Sequence, residues 1–156
     1  MEALVVKVED PRQDEGIAAL LRQSDTVAAR LYPDEYRRPI TPDVLAKPDT
    51  CVLVARRVAD RAVIGCCALF KRGDGTAELK RMIVDEGVRG QGVGAALLRT
   101  AEAEAAGRLG ARTVLLEVGV RNTEAQALYR RAGYKPRGPF PPYQSSPISL
   151  FLERHL

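Results

Sequence analysis

The chain has 156 residues, 46% hydrophobic and 28% charged, and its 24 basic and 20 acidic side chains leave a net charge of +4. A chain of that length suits one domain that closes its own core without a metal or disulfide staple. It has no apolar run near the ~20 residues of a membrane span, and its basic residues are interspersed with acidic ones, so neither a membrane protein nor a basic-stripe nucleic-acid binder is expected.

Residues 4–8 alternate weakly and read as a first strand, closed by Asp10-Pro11. From about 14 to 31 the apolar positions Ile17, Leu20, Leu21, Ala28 and Leu31 recur at helical spacing, and Tyr32-Pro33-Asp34 stops the helix. Thr41-Pro42 is an N-cap followed by a first-turn proline, so a short helix through Leu45 is predicted. Three strands follow at 51–57, 63–71 and 76–84, the last two joined by the hairpin turn Gly73-Asp74-Gly75. The pattern then changes to a helix (94–108), a strand (113–118), a helix (123–132) and a short strand after Gly133. Residues 136–147 form a proline-rich loop, and 148–152 a last strand. This order predicts an α+β fold, a mixed, mostly antiparallel sheet of about seven strands in one domain spanning 1–156.

The stretch Val88-Arg89-Gly90-Gln91-Gly92-Val93-Gly94-Ala95 carries the most chemistry. Closely spaced glycines let the backbone turn tightly and present N–H groups that no side chain shields. A helix starts directly afterwards, and its unpaired amides and positive dipole end suit an anion. Arg89 adds a full charge at the rim, so a pyrophosphate fits. A plain strand-to-helix turn is the bland alternative. A dinucleotide fingerprint is another, since Gly90, Gly92 and Ala95 satisfy its spacing and Glu117 follows 22 residues later. Against it, the preceding strand carries Glu78, Lys80 and Arg81, where a central parallel strand is nearly all apolar.

Arg89-x-x-Gly92-x-Gly94 resembles the pyrophosphate signature of the GCN5-related N-acetyltransferases (the GNAT family). Asn122-Thr-Glu-Ala125-Gln-Ala-Leu128-Tyr129 followed by Gly133-Tyr134 resembles that family's later motif. Physically, Asn122 or Thr123 caps the helix, Gln126 can complete a Thr-x-x-Gln box, and Gly133 is the C-terminal stop. The resemblance covers residues 63–134, and the tail 140–147 with Leu31-Tyr32-Pro33 looks like a bacterial branch for which no acceptor is named.

The resemblance implies helices on both sheet faces, a fourth and fifth strand that splay apart, and acetyl-CoA as co-substrate without metal. It implies cofactor contacts at Met82, Ile83 and Val84 of the fourth strand, through residues 89–95 (Arg89, Gly90, Gln91, Gly92, Val93, Gly94, Ala95), and at Asn122, Ala125 and Tyr129. Tyr129 would protonate the leaving thiolate; its plain alternative is core packing. Glu78 sits where one branch of the family carries a general base, with Glu117 in reserve and an ordinary strand position as the alternative. The Ile83 amide, or a near neighbour, is the family-based oxyanion donor. The implied activity is N-acetyltransfer to a primary amine, with a protein acceptor or a non-catalytic acyl-CoA sensor as rivals. Dimers are common in the family.

Other residues argue by absence. His155 is the only histidine and Cys-x-x-Cys does not occur, which leaves no His triad and no zinc site. Cys51, Cys66 and Cys67 read as reduced core thiols in a cytoplasmic protein, since Glu2 and the lack of a basic N-terminal run argue against a signal peptide. The resemblance implies an acceptor side at residues 32–39 and 139–147, solvated loop charges being the alternative. There Asp34 and Glu35 could meet an ammonium, Arg37 and Arg38 an anionic group, and Tyr32, Tyr36 and Tyr143 an apolar body.

Overall fold

The computed structural model describes residues 3–32 and 41–156. Its elements are β1 (Leu4–Val8), α1 (Glu15–Leu31), α2 (Pro42–Leu45), β2 (Thr50–Arg57), β3 (Val63–Lys71), β4 (Thr76–Val84), α3 (Val93–Gly107), β5 (Thr113–Gly119), α4 (Thr123–Arg131), β6 (Lys135–Arg137) and β7 (Ser149–His155). They match the predicted order element for element. The last strand runs to His155, three residues beyond its predicted end, because Glu153, Arg154 and His155 pair with Leu115, Val114 and Thr113. Their polar side chains hide a strand that only its neighbour defines.

Local chemistry sets the helix ends. Asp14 caps α1 by accepting from the Gly16 amide at 2.7 Å, while Arg56 Nη2 bonds its other oxygen at 2.7 Å and shares Glu9 with Arg56 Nε. At the end of α4, Gly133 at φ 95° lets its own amide reach the Arg130 carbonyl and the Tyr134 amide reach that of Tyr129, both at 3.0 Å. The predicted Thr-x-x-Gln box does not form. Asn122 is the cap, and the buried Gln126 amide instead donates to the carbonyls of Gly119 (2.8 Å) and Val120 (3.0 Å).

The seven strands make one sheet in the order β1-β2-β3-β4-β5-β7-β6, antiparallel except for the central β4–β5 pair. α3 and α4 cover one face through Leu97, Leu98, Ala101 and Tyr129 against Leu53, Leu69, Leu79 and Leu116. α1 covers the other through Ile17, Leu20 and Leu21 against Val54, Cys66 and Ala68. Each large apolar side chain buried this way contributes about 1.5–3 kcal/mol. Beyond α1 on that second face lies a smaller apolar cluster of Leu115, Phe140 and Phe151, with Tyr143 against it.

β4 and β5 pair only from Thr76–Thr113 to Leu79–Leu116. On its other edge β4 carries a bulge: Cys66 faces Ile83 and Ala68 faces Lys80, so Arg81 and Met82 together oppose Cys67. Arg81 takes φ 56° there, a conformation that costs a non-glycine residue about 1–2 kcal/mol. A bulge bends its strand and increases its twist, which carries the far half of β4 away from β5. The central parallel pair therefore opens into a V.

Candidate active site

A cleft of about 1020 Å³ enters this V from the α3–α4 side. Met82, Ile83 and Val84 line it from the stretch of β4 that has no β5 partner. Its mouth is the glycine turn. Gly90 and Gly92 sit at φ 79° and 83°, and Gly92 is the N-cap of α3 with no side chain capping the first amides. Those amides are free to bind an anion. Gly94 serves packing: a β-carbon there would lie 2.9 Å from Leu128 of α4. Arg89 stands half-exposed at the rim, 3.7 Å from Glu124.

Of the cofactor contacts implied by resemblance, the cleft lining includes Met82, Ile83, Val84, Arg89, Gly90, Gly92, Val93, Gly94, Ala95, Asn122 and Ala125. Gln91 and Tyr129 are not in the lining. Tyr129 is 6% exposed, packed in the α3–α4 core with its ring 5.8 Å from that of Tyr134. Burial, and after it the nearness of Cys67, pushes its hydroxyl above the ordinary phenol range. At neutral pH it holds the proton that a general acid must start with.

Arg99, Arg131 and Arg154 also line the cleft, as do Gln23, Ser24 and Val27 of α1. Sequence reading missed all of them. Arg99 lies one helical turn from Ala95, and Arg131 one turn from Ala127, so spacing could have found those two. Nothing local marks Arg154, which reaches the cleft only because β7 pairs beside β5.

Glu78 lies on the opposite face of the sheet, level with Phe70 and Leu115 and one residue before the V opens. It is 5% exposed. One oxygen accepts from the Tyr143 hydroxyl at 2.5 Å and lies 3.8 Å from Lys80 Nζ; the other is 3.9 Å from Arg72. Lys80 in turn stands over the rings of Phe70 and Tyr143, at 5.3 and 5.6 Å. Glu117, the first β5 residue past the last β4–β5 pair, is exposed and accepts from Ser149 Oγ at 2.7 Å. The predicted acid and base are thus on opposite sides of the gap.

The α1 end is clamped across that gap. The Tyr32 hydroxyl sits where a β-carbon on Gly119 would be and accepts from the Arg121 amide at 3.1 Å, while the Arg121 side chain donates to the Leu31 carbonyl at 2.5 Å. Asp34, Glu35, Tyr36, Arg37 and Arg38 lie outside the described residues. The cysteines are buried, and burial pushes the Cys66 thiol up to about 12, too high for a nucleophile at neutral pH. Among the described residues no helix is long and apolar enough to cross a membrane, and no group of side chains could hold a metal.

A sheet parted at a central parallel pair, with an uncapped helix N-terminus at the mouth of the gap, offers an extended ligand an open backbone edge and an anion site. The profile of the acetyltransferase (GNAT) family matches residues 15–134. An IAA acetyltransferase of Azospirillum brasilense is 40% identical over 157 residues, 100% of each chain. A Klebsiella pneumoniae structure described as an acyl-CoA N-acyltransferase is 31% identical with a TM-score of 0.81, covering 98% of this chain and 97% of that one. The PaiA N-acetyltransferase of Thermoplasma acidophilum, solved with coenzyme A, shares the fold at a TM-score of 0.79 and 20% identity, with 99% of both chains covered. The chain belongs to the acetyltransferase (GNAT) family. It is an acetyltransferase, and acetyl-CoA is its co-substrate.

Proposed function

We propose that this enzyme transfers the acetyl group directly to the primary amine of a small, amino-acid-like molecule that also carries an anionic group, and that it does so in the cytoplasm. The observation that carries this reading is the cluster at the point of the V, on the face away from the cofactor cleft. Two carboxylates, Glu78 and Glu117, stand there beside the half-exposed Lys80 ammonium and the Tyr143 ring. Carboxylates suit an ammonium, and a cation suits the anionic group of the same small molecule.

An ordinary alkyl ammonium has a pKa near 10.4, so about one molecule in a few thousand is neutral at pH 7, a handicap of about 4–5 kcal/mol. Glu78 acts as the base that removes this proton. Acetyl-CoA supplies the thioester carbonyl, whose developing negative charge meets the amide of Ile83 or a neighbour on the open edge of β4. Tyr129 gives its proton to the departing sulfur from the other side of the gap. Asn122, Ala125 and the 89–95 turn hold the pyrophosphate and pantetheine, and Arg37 and Arg38 add acceptor contacts. The net charge of +4 repels a polybasic peptide at long range.

The test is thiol release from acetyl-CoA over a panel of free amino acids, short diamines, IAA and a lysine-rich peptide. IAA is included because the 40%-identical relative bears that name. Turnover on free amino acids should exceed that on the peptide. Robust acetylation of the peptide with every small amine inert would sink the reading, and cofactor binding without thiol release would favour the sensor.

A further inference from the structure

We propose that Tyr143 is a catalytic residue of this reaction, its hydroxyl relaying the acceptor's ammonium proton to Glu78. The proposal rests on the amine-acetylation reading above and adds to it the route of the proton. Glu78 alone cannot meet the acceptor. It is 5% exposed, level with Leu115 on β5, and its two oxygens face Tyr143, Lys80 and Arg72. Tyr143 is the one of these contacts that both accepts and donates a proton, and its hydroxyl already donates to Glu78 at 2.5 Å.

The Tyr143 ring is fixed for this task. Phe140 meets it edge-on at 5.1 Å, Phe151 lies at 5.8 Å, and Lys80 Nζ stands 5.6 Å over its face. The charged groups around it come from four places. Glu78 and Lys80 belong to β4, Arg72 precedes the β3–β4 turn, and Glu117 comes from β5, tied to Ser149 of β7. Arg137 of β6 lies over Phe140 and pairs with Glu153 of β7. Glu117 is exposed and draws an ammonium to the phenol without being closed off itself.

The step balances. An ammonium N–H bond breaks and its proton moves to the Tyr143 oxygen, while the Tyr143 O–H proton moves to the Glu78 oxygen. The freed nitrogen lone pair attacks the thioester carbonyl, and the C–S bond breaks as Tyr129 protonates the departing sulfur. The nitrogen gives its second proton to solvent, from which Tyr129 is reprotonated. Tyr143 ends neutral and Glu78 ends protonated, and Glu78 returns its proton to solvent by the same path after product leaves. Burial, then the hydrogen bond and charge of Glu78, raise the Tyr143 hydroxyl above the ordinary phenol range. A free tyrosinate is therefore disfavoured, and the two transfers must be coupled.

The experiment measures kcat/KM against pH for the parent, Tyr143→Phe, Glu78→Gln and the double variant. The probes are the best free amino acid of the panel and hydroxylamine, an acceptor already largely neutral at pH 7. Melting temperature and acetyl-CoA affinity establish that each variant folds and loads. At pH 7 Tyr143→Phe should lose about 10–100-fold on the amino acid, recover towards the parent as pH approaches the ammonium's own pKa, and lose little on hydroxylamine. The double variant should be no slower than Glu78→Gln alone, since both act on one path. A loss equal on both probes and flat in pH would make Tyr143 a loop anchor and overturn the relay. So would a Tyr143→Phe profile superimposable on that of a parent active on amino acids. A parent that binds acetyl-CoA yet acetylates no amine overturns the underlying reading as well.

Discussion

On the α3 side of the gap between β4 and β5 the wall is made of backbone: the glycine turn, the uncapped amides of α3 and the unpaired edge at residues 82–84. On the α1 side it is made of side chains that arrive from far apart, with Glu78 and Tyr143 65 residues distant in sequence. The two materials fail in opposite ways. A backbone wall tolerates loss of side chains and is ruined by an added one, whereas a side-chain wall is ruined by removing a hydroxyl or a carboxylate. On the function proposed above, binding of the common co-substrate and choice of the acceptor are therefore open to separate alteration.

The largest effect should follow from adding a side chain to the backbone wall. Gly92→Glu imposes a left-handed conformation costing about 1–2 kcal/mol and sets an anion at the proposed pyrophosphate site. Calorimetry should show acetyl-CoA affinity falling by more than about 100-fold in a protein that still folds; unchanged affinity would remove the glycine turn from the cofactor site. Next in size is Tyr129→Phe, which keeps the ring and should slow kcat by about 100-fold, the low end for a general acid because water substitutes in part. If kcat stays within about twofold with chemistry rate-limiting, Tyr129 only packs.

A smaller effect tests the clamp that joins the two walls. An added methyl in Gly119→Ala must displace the Tyr32 hydroxyl. We expect KM for the acceptor to rise by about three- to tenfold, the scale of one lost hydrogen bond, with KM for acetyl-CoA little moved. Adding Tyr32→Ala to that variant should then cost nothing more, and an additive loss would show the two residues to be independent. Smallest is a change remote from both walls. Asp14→Ala removes the α1 cap and should cost about 1 kcal/mol of stability with kinetics unchanged. The Gly16 amide, and after it Arg56, hold the Asp14 carboxyl below the usual range. Its contribution is therefore complete above the unfolded value near 3.9 and fades as pH falls through the folded one, so melting curves of parent and variant should converge in acid.

The order of elements, the stop of α4 and the glycine turn were legible in the residues because each depends on neighbours a few positions away. Gly92 and Gly133 answer a local demand for positive φ, and Asn122, one of the two caps the residues offered, caps the helix it precedes, whereas the Asp14 cap went unread. The hairpin at 73–75 is equally local. Glu78 and Tyr143 were each visible as residues with chemistry, but their union was not. It depends on β4 lying beside β5 and β5 beside β7, and on the chain between β6 and β7 folding back over that face. The bulge at Arg81, which opens the gap, left no mark either, since a run of strand-forming residues does not state its register against a partner. A turn or a helix end is decided by the backbone's own hydrogen bonds over one or two residues' reach. A pocket of converging side chains is decided by strand order and register, and those are settled only when the whole sheet has formed.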